Sequence, residues 1–257
     1  MWKISSASAQ GQVYFDEGRN NQDVATGLTN GSIALGVIND GCHGEKIRRD
    51  SKNEVGALLS NQFLIRECAK LLVAGTNLQS IPKLIFPKYI DYLHWQVESQ
   101  FFDDKSEINY FIANYMMCTT FSLIANESEV CVFWAGDGVI YLNDRVHREV
   151  KSPITGPDKK STPKYPAYHL YERYDLFDEV VHSLLPDGFQ SEIFPAETVS
   201  TIGISSDGLI GYPNQLNDLK TYSQSNFSLQ ACLNRIAVIR SETSDNISVI
   251  FLNKQED

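Results

Sequence analysis

Five aspartates, each set against the end of an apolar, β-prone run, constrain this chain more than any other feature. Asp40-Gly41 closes the run Ile33–Ile38 within "GVINDGCHGE", and Asp137-Gly138 follows "FWAG". Asp207-Gly208 follows "TIGISS", Asp245 opens "DNISVIFL", and Asp23 ends "NNQD". One Asp-Gly after an apolar stretch is an ordinary turn signal. Five at strand mouths point to a fold that gathers those mouths into an acidic cluster. Desolvated carboxylates cannot all stay ionised without counter-charge, and no matching set of lysines lies in these motifs. Hard divalent cations are the obvious neutralisers, and oxygen donors favour Mg²⁺ or Mn²⁺ over zinc. A glycine after the acid leaves its own carbonyl, or a bound water, open to close approach.

The pattern between the acids is mixed. Ser32–Asn39 reads as an apolar strand. Val55, Leu58, Leu59, Phe63, Ala69 and Leu72 recur at helical steps and predict a helix over Ser51–Val73. Pro82–Phe102 reads as a second long helix, kinked near Pro87. Strands follow at Thr119–Ala125, Glu129–Ala135, Gly138–Leu142 and Val146–Val150, separated by turns of hairpin length. Later come a strand at Thr198–Ser205, a helix at Leu229–Val238 and a closing strand at Ile247–Leu252. Antiparallel-looking strand sets with inserted helix pairs indicate an α+β layered fold. No repeat or linker divides the 257 residues, so 1–257 reads as one domain. Residues 151–195 differ in character. The stretch "KSPITGPDKKSTPKYPAYHLYERYDLFDE" holds four of the nine prolines and five Tyr or Phe rings, and reads as a long ordered excursion beside a site.

Composition excludes several roles. A net charge of −10 repels nucleic acid phosphates and anionic lipid, so neither is expected as a partner. Apolar runs are strand-sized, short of the roughly 20 residues of a spanning helix. The opening "MWKISSASAQGQ" lacks a basic start and apolar core, so no secretory signal is expected. Five scattered cysteines without a C-x-x-C pair fit a reducing cytoplasm and argue against a cysteine zinc site.

In order, NQD, apolar-D-G, T-T-F, A-G-D-G, S-S-D-G and S-D-N-I-S resemble the motifs of the metal-dependent protein phosphatases of type 2C, the PPM family, in its bacterial form. The match runs from Gly11 to the last strand. The resemblance implies a four-layer αββα sandwich of two packed antiparallel sheets flanked by helices. It also implies hydrolysis of phosphoserine and phosphothreonine by water activated between two Mn²⁺ or Mg²⁺ ions, with a third ion in some members. By position, Asp40 resembles the carboxylate bridging both metals, and Gly41 the residue offering its carbonyl to the second. Asp207 and Asp245 resemble the other ligands of the first metal. Asp137 with Asp207 resembles the holder of the third, and Asp23 the acid that orients metal-bound water. Cys118-Thr119-Thr120 resembles a strand start whose hydroxyls pack near the site, and 151–195 the family's flap. With water as nucleophile, Cys42 reads as a small buried side chain.

The match departs at two places. Where many members carry a phosphate-gripping arginine this chain has Gly18, and Arg19 stands one residue later, either gripping phosphate or as a surface charge. His43 lies one residue beyond a histidine that some members use as general acid, and is either that acid or a turn residue. Arg48-Arg49-Asp50 reads as a solvated approach to the helix, or as a contact for an acidic substrate. Lys159-Lys160 and Lys164, with Tyr165, Tyr168, Tyr171 and Tyr174, either meet a phosphopeptide flank or fold over a neighbouring surface. The leading expectation is a cytoplasmic Ser/Thr phosphatase acting on phosphoproteins made by a Ser/Thr kinase. The alternatives are a phosphoprotein-binding pseudophosphatase, against which the complete acid set argues, and a same-fold phosphatase of a small phosphorylated metabolite.

Overall fold

The computed structural model describes residues 1–16, 19–42, 51–155, 160–176, 179–239 and 245–255. Its strands are β1 (Trp2–Ala9), β2 (Asp23–Thr29), β3 (Ala34–Gly41), β4 (Cys118–Ala125), β5 (Glu129–Ala135), β6 (Gly138–Leu142) and β7 (Arg145–Val150). They continue with β8 (Ile154–Thr155), β9 (Lys160–Ser161), β10 (Gln190–Pro195), β11 (Thr201–Ser205) and β12 (Ile247–Lys254). The helices are α1 (Gln12–Asp16), α2 (Asn53–Val73), α3 (Ile81–Glu98), α4 (Lys105–Phe111), α5 (Tyr168–Arg173), α6 (Glu179–Leu184), α7 (Pro213–Tyr222) and α8 (Asn226–Asn234).

Two five-stranded antiparallel sheets carry the fold, in the orders β1-β12-β11-β6-β7 and β10-β5-β4-β3-β2. Side-chain alternation explains the layering. Along β3, Ala34 and Ile38 face the first sheet, joining Phe121 and Trp134 of their own sheet and Ile250 of β12 in the cluster between the layers. Leu35 and Val37 face outward into a cluster with Phe63, Leu64 and Tyr89 of α2 and α3. With both faces covered, β3 reads as an unbroken apolar run rather than an alternating one. The outer face of the first sheet is covered in turn by Leu216 and Leu219 of α7 and Leu229 and Leu233 of α8. The result is the expected αββα sandwich.

Several boundaries differ from the sequence reading. β1 and β2 were not expected as strands, because serines, glycine and lone aliphatics give them little apolar signal. The expected Thr198–Ser205 strand begins at Thr201, after a 3-10 turn at Ala196–Thr198. The expected Leu229–Val238 helix begins earlier, at Asn226, because the Ser225 hydroxyl caps it by accepting from the Ser228 amide at 3.1 Å. A π turn over Arg235–Ile239 follows it. α3 carries Pro87 in its interior and ends at Glu98, before Phe102.

The 151–195 excursion divides. Its first part forms the β8–β9 ribbon, α5 and α6, whereas Gln190–Pro195 pairs with β5 as the edge strand β10. The edge position tolerates the strand's terminal proline. Tyr165, Tyr168 and Leu170 are buried in the α2–α3 cluster, so those rings fold over the protein's own surface.

Candidate active site

Strand register brings the acids together. Pairing of β2 with β3 sets Asp23 opposite Asp40, and pairing of β3 with β4 sets Asp40 opposite Thr119. On the other sheet Ser205 pairs with both Val139 and Val249, so the residues before β6, after β11 and before β12 emerge side by side. Those residues carry Asp137, Asp207 and Asp245. All five acids therefore stand at one end of the sandwich. A cavity of about 260 Å³ opens there, walled by Asp40, Asp137, Asp207 and Asp245 with Gly41 and Tyr14.

Gly41 is required at its position. A Cβ there would lie 2.9 Å from the Asn53 carbonyl, because the start of α2 packs directly on the end of β3. Asn53 is fully buried and braces this corner. Its Nδ2 donates to the Cys42 carbonyl at 3.0 Å, and its Oδ1 accepts from the Met117 amide at 3.0 Å. The ends of β3 and the entry to β4 are thereby held in register beside the cavity.

The electrostatics are those of a site short of positive charge. Asp23 is 5% exposed, and neither of its oxygens accepts a hydrogen bond of normal geometry. Burial raises its pKa to about 7, although the adjoining Asp40 and the Ser206 and Ser248 hydroxyls draw it down. Burial pushes Asp40 well above the usual carboxylate range, and Asp23, Asp207 and Asp245 add to the shift. Asp207 is raised well above that range by burial, then by Asp245, Asp137 and Asp23. Asp137 is raised by burial and drawn partly back by a hydrogen bond from the Ser152 hydroxyl, which leaves its Oδ1 without a donor. Buried carboxylate oxygens without donors call for another positive partner.

The donor set fits a hard divalent cation: carboxylates plus the Gly41 carbonyl, with no imidazole among the described residues of the wall. Among the described residues, no three acidic, His or Cys side chains are set to grip one ion unaided. A cation here would complete its shell with water, as Mg²⁺ and Mn²⁺ do.

The remaining candidates fall out differently. His43, Gly18 and Arg48-Arg49-Asp50 lie outside the described residues. Arg19 holds its guanidinium 6.0 Å from the Tyr14 ring centre and is not part of the cavity wall. Cys42 does line the cavity, but burial pushes its thiol up to about 11, so it stays protonated and unsuited to attack. Two residues escaped the sequence reading. Asn53 is one. Tyr14 is the other: its phenol hydrogen-bonds Asp245, and its pKa is driven upward by burial and then by Asp245 and Asp40.

Solved structures sharing this architecture include bacterial Ser/Thr phosphatases. A bacterial serine phosphatase, solved as a point variant, aligns over 99% of this chain and 99% of its own, with a TM-score of 0.61 and 16% identity. The Ser/Thr phosphatase Stp1 of Staphylococcus aureus aligns over 100% of this chain and 96% of its own, with a TM-score of 0.59 and 15% identity. The catalytic domain of the Ser/Thr protein phosphatase PstP, solved with 2 manganese ions, aligns over 98% and 97%, with a TM-score of 0.57 and 15% identity. No protein-family model and no curated protein matches the chain by sequence. The chain has the fold of the bacterial PPM-type phosphatases, and at these identities the fold is what is shared.

Proposed function

We propose that this chain is a Mn²⁺- or Mg²⁺-dependent protein phosphatase that hydrolyses phosphoserine and phosphothreonine without a covalent phosphoenzyme. The observation that carries the reading is the convergence, on this fold, of five carboxylates that include buried oxygens without donors. When bound, a pair of such ions supplies acidified water and neutralises charge on the phosphoryl oxygens. Asp40, Asp207, Asp245 and the Gly41 carbonyl would hold the pair, and Asp137 with Asp207 a third ion. Asp23, behind Asp40, can accept a hydrogen bond from water at the site and so orient it. Tyr14 fixes Asp245. Cys42 takes no part in the chemistry.

A binding module without turnover has no use for the whole acid set, which favours the enzyme. Five free cysteines accord with a cytoplasmic setting opposite a Ser/Thr kinase. Among the described helices none is long and apolar enough to cross a membrane.

The test is phosphate release from phosphothreonine peptides. Turnover should vanish in EDTA and return with Mn²⁺ or Mg²⁺ but not with the larger, looser Ca²⁺. Asp40→Asn should lose activity by orders of magnitude with an unchanged circular dichroism spectrum. Full turnover in EDTA, or in Asp40→Asn, would overturn the reading.

A further inference from the structure

A second cleft, of about 440 Å³, opens beside the acidic cavity, bounded by Trp134, Gly136, Lys151, Ser152, Lys164 and Phe189. The two share a partition. Ser152 lines the cleft and donates its hydroxyl proton to Asp137, which walls the cavity. Pro163 lines the cavity, and the next residue, Lys164, lines the cleft. Gly136 and Asp137 divide in the same way. An extended chain advances about 3.3 Å per residue. A peptide with its phosphoryl group in the cavity therefore delivers a residue one or two positions away into the cleft.

The charges of the cleft select that residue. Lys151 is balanced by Glu149 at 3.1 Å. Lys164 is half-buried and pairs with no carboxylate among the described residues. Its backbone is not on a swinging tip, because Tyr165 beside it is 6% exposed and packed in the α2–α3 core. Asp187, the acid of this wall, is exposed at the rim. In a chain of net charge −10, an ammonium without a carboxylate partner among the described residues, held on the wall of a cleft next to the acidic cavity, is a local reversal of sign.

Resting on the phosphatase reading, we infer that this cleft is a subsite for an acidic side chain close to the phosphorylated residue, with Lys164 as its partner. The substrate class is then phosphoproteins carrying Asp or Glu within about two residues of the phosphosite. Trp134 and Phe189 supply an apolar floor for the stem of that side chain, and Lys164 meets its carboxylate.

The experiment compares phosphothreonine peptides that differ only in bearing Asp, Ala or Lys at the two positions on either side. The readout is the ratio of kcat/KM for the acidic and basic peptides within each protein, so the folded, active fraction cancels. Wild type should prefer the acidic peptides by roughly 3–10-fold, expressed in KM, as for one partly exposed ion pair. The preference should shrink at high salt. Lys164→Ala should remove it and Lys164→Glu invert it, with p-nitrophenyl phosphate reporting the chemistry in each protein. Equal ratios in wild type, or a preference that survives Lys164→Glu, overturns the subsite while turnover itself leaves the phosphatase reading standing. Absence of turnover on every ester, p-nitrophenyl phosphate included, overturns both.

Discussion

Replacing Asp23 by Asn keeps the shape of a buried side chain and removes its charge. Asp23 is 5% exposed, its oxygens accept no hydrogen bond of normal geometry, and its pKa rises from 3.8 to about 7. Each pH unit of such a shift corresponds to about 1.4 kcal/mol, so keeping Asp23 ionised costs on the order of 2–4 kcal/mol. The sign follows from the raised folded value. The protonated carboxyl contributes its full stability below about pH 4, and that contribution is lost as pH rises through about 7. Metal-free wild type therefore carries the penalty at pH 8, and the Asn variant does not. At about 2–4 °C per kcal/mol for a chain of this size, Asp23→Asn should melt roughly 5–15 °C higher than wild type at pH 8 in EDTA. The gap should close by about pH 4. Saturating Mn²⁺ should reverse the order, because a cation bound to the folded state stabilises wild type more. Circular dichroism melts at both pH values, with and without Mn²⁺, test this. An Asn variant less stable than wild type at pH 8 in EDTA, or a gap that ignores pH, would refute the reasoning.

Two further outcomes are expected. Tyr14→Phe should weaken Mn²⁺ affinity, measured by calorimetry, by about 10–100-fold while the fold is kept, because the phenol that orients Asp245 is lost; unchanged affinity would make Tyr14 a packing residue only. Gly56→Ala should lower stability by about 1–3 kcal/mol or more, since its Cβ would lie 2.1 Å from the Tyr115 carbonyl where α2 meets the turn before β4; an unchanged Tm would mean that this contact yields freely.

The layered fold was legible wherever burial is two-sided or amphipathic. β4, β5 and β6 fall within a residue of their expected ends, as does the C-terminal end of α2. β1 and β2 were not legible, because WKISSASA and DVATGLT bury small or half-exposed residues whose apolar signal is weak. β10 was absorbed into the excursion because its residues lie only partly buried at a sheet edge. Of the site, Asp40, Asp137 and Asp207 were legible as Asp-Gly steps at strand ends, and Asp23 and Asp245 as acids opening β-prone runs, since the motif and the mouth are the same local event. Tyr14 and Asn53 were not. Their roles arise from contacts with Asp245 and with the Cys42 carbonyl, far from them in sequence or unmarked by any local pattern.

The distribution of the acids between the sheets has a mechanical consequence. Asp23 and Asp40 belong to the β2–β3 sheet, whereas Asp137, Asp207 and Asp245 flank strands of the other. Ionised together, these acids would set like charges against each other across the gap, a wedge between the two layers at that end. Cations shared between the layers, as proposed above, would convert the wedge into a rivet. On the proposed reading, loading the site would do more than arm it: it would join two slabs otherwise held by side-chain interlock.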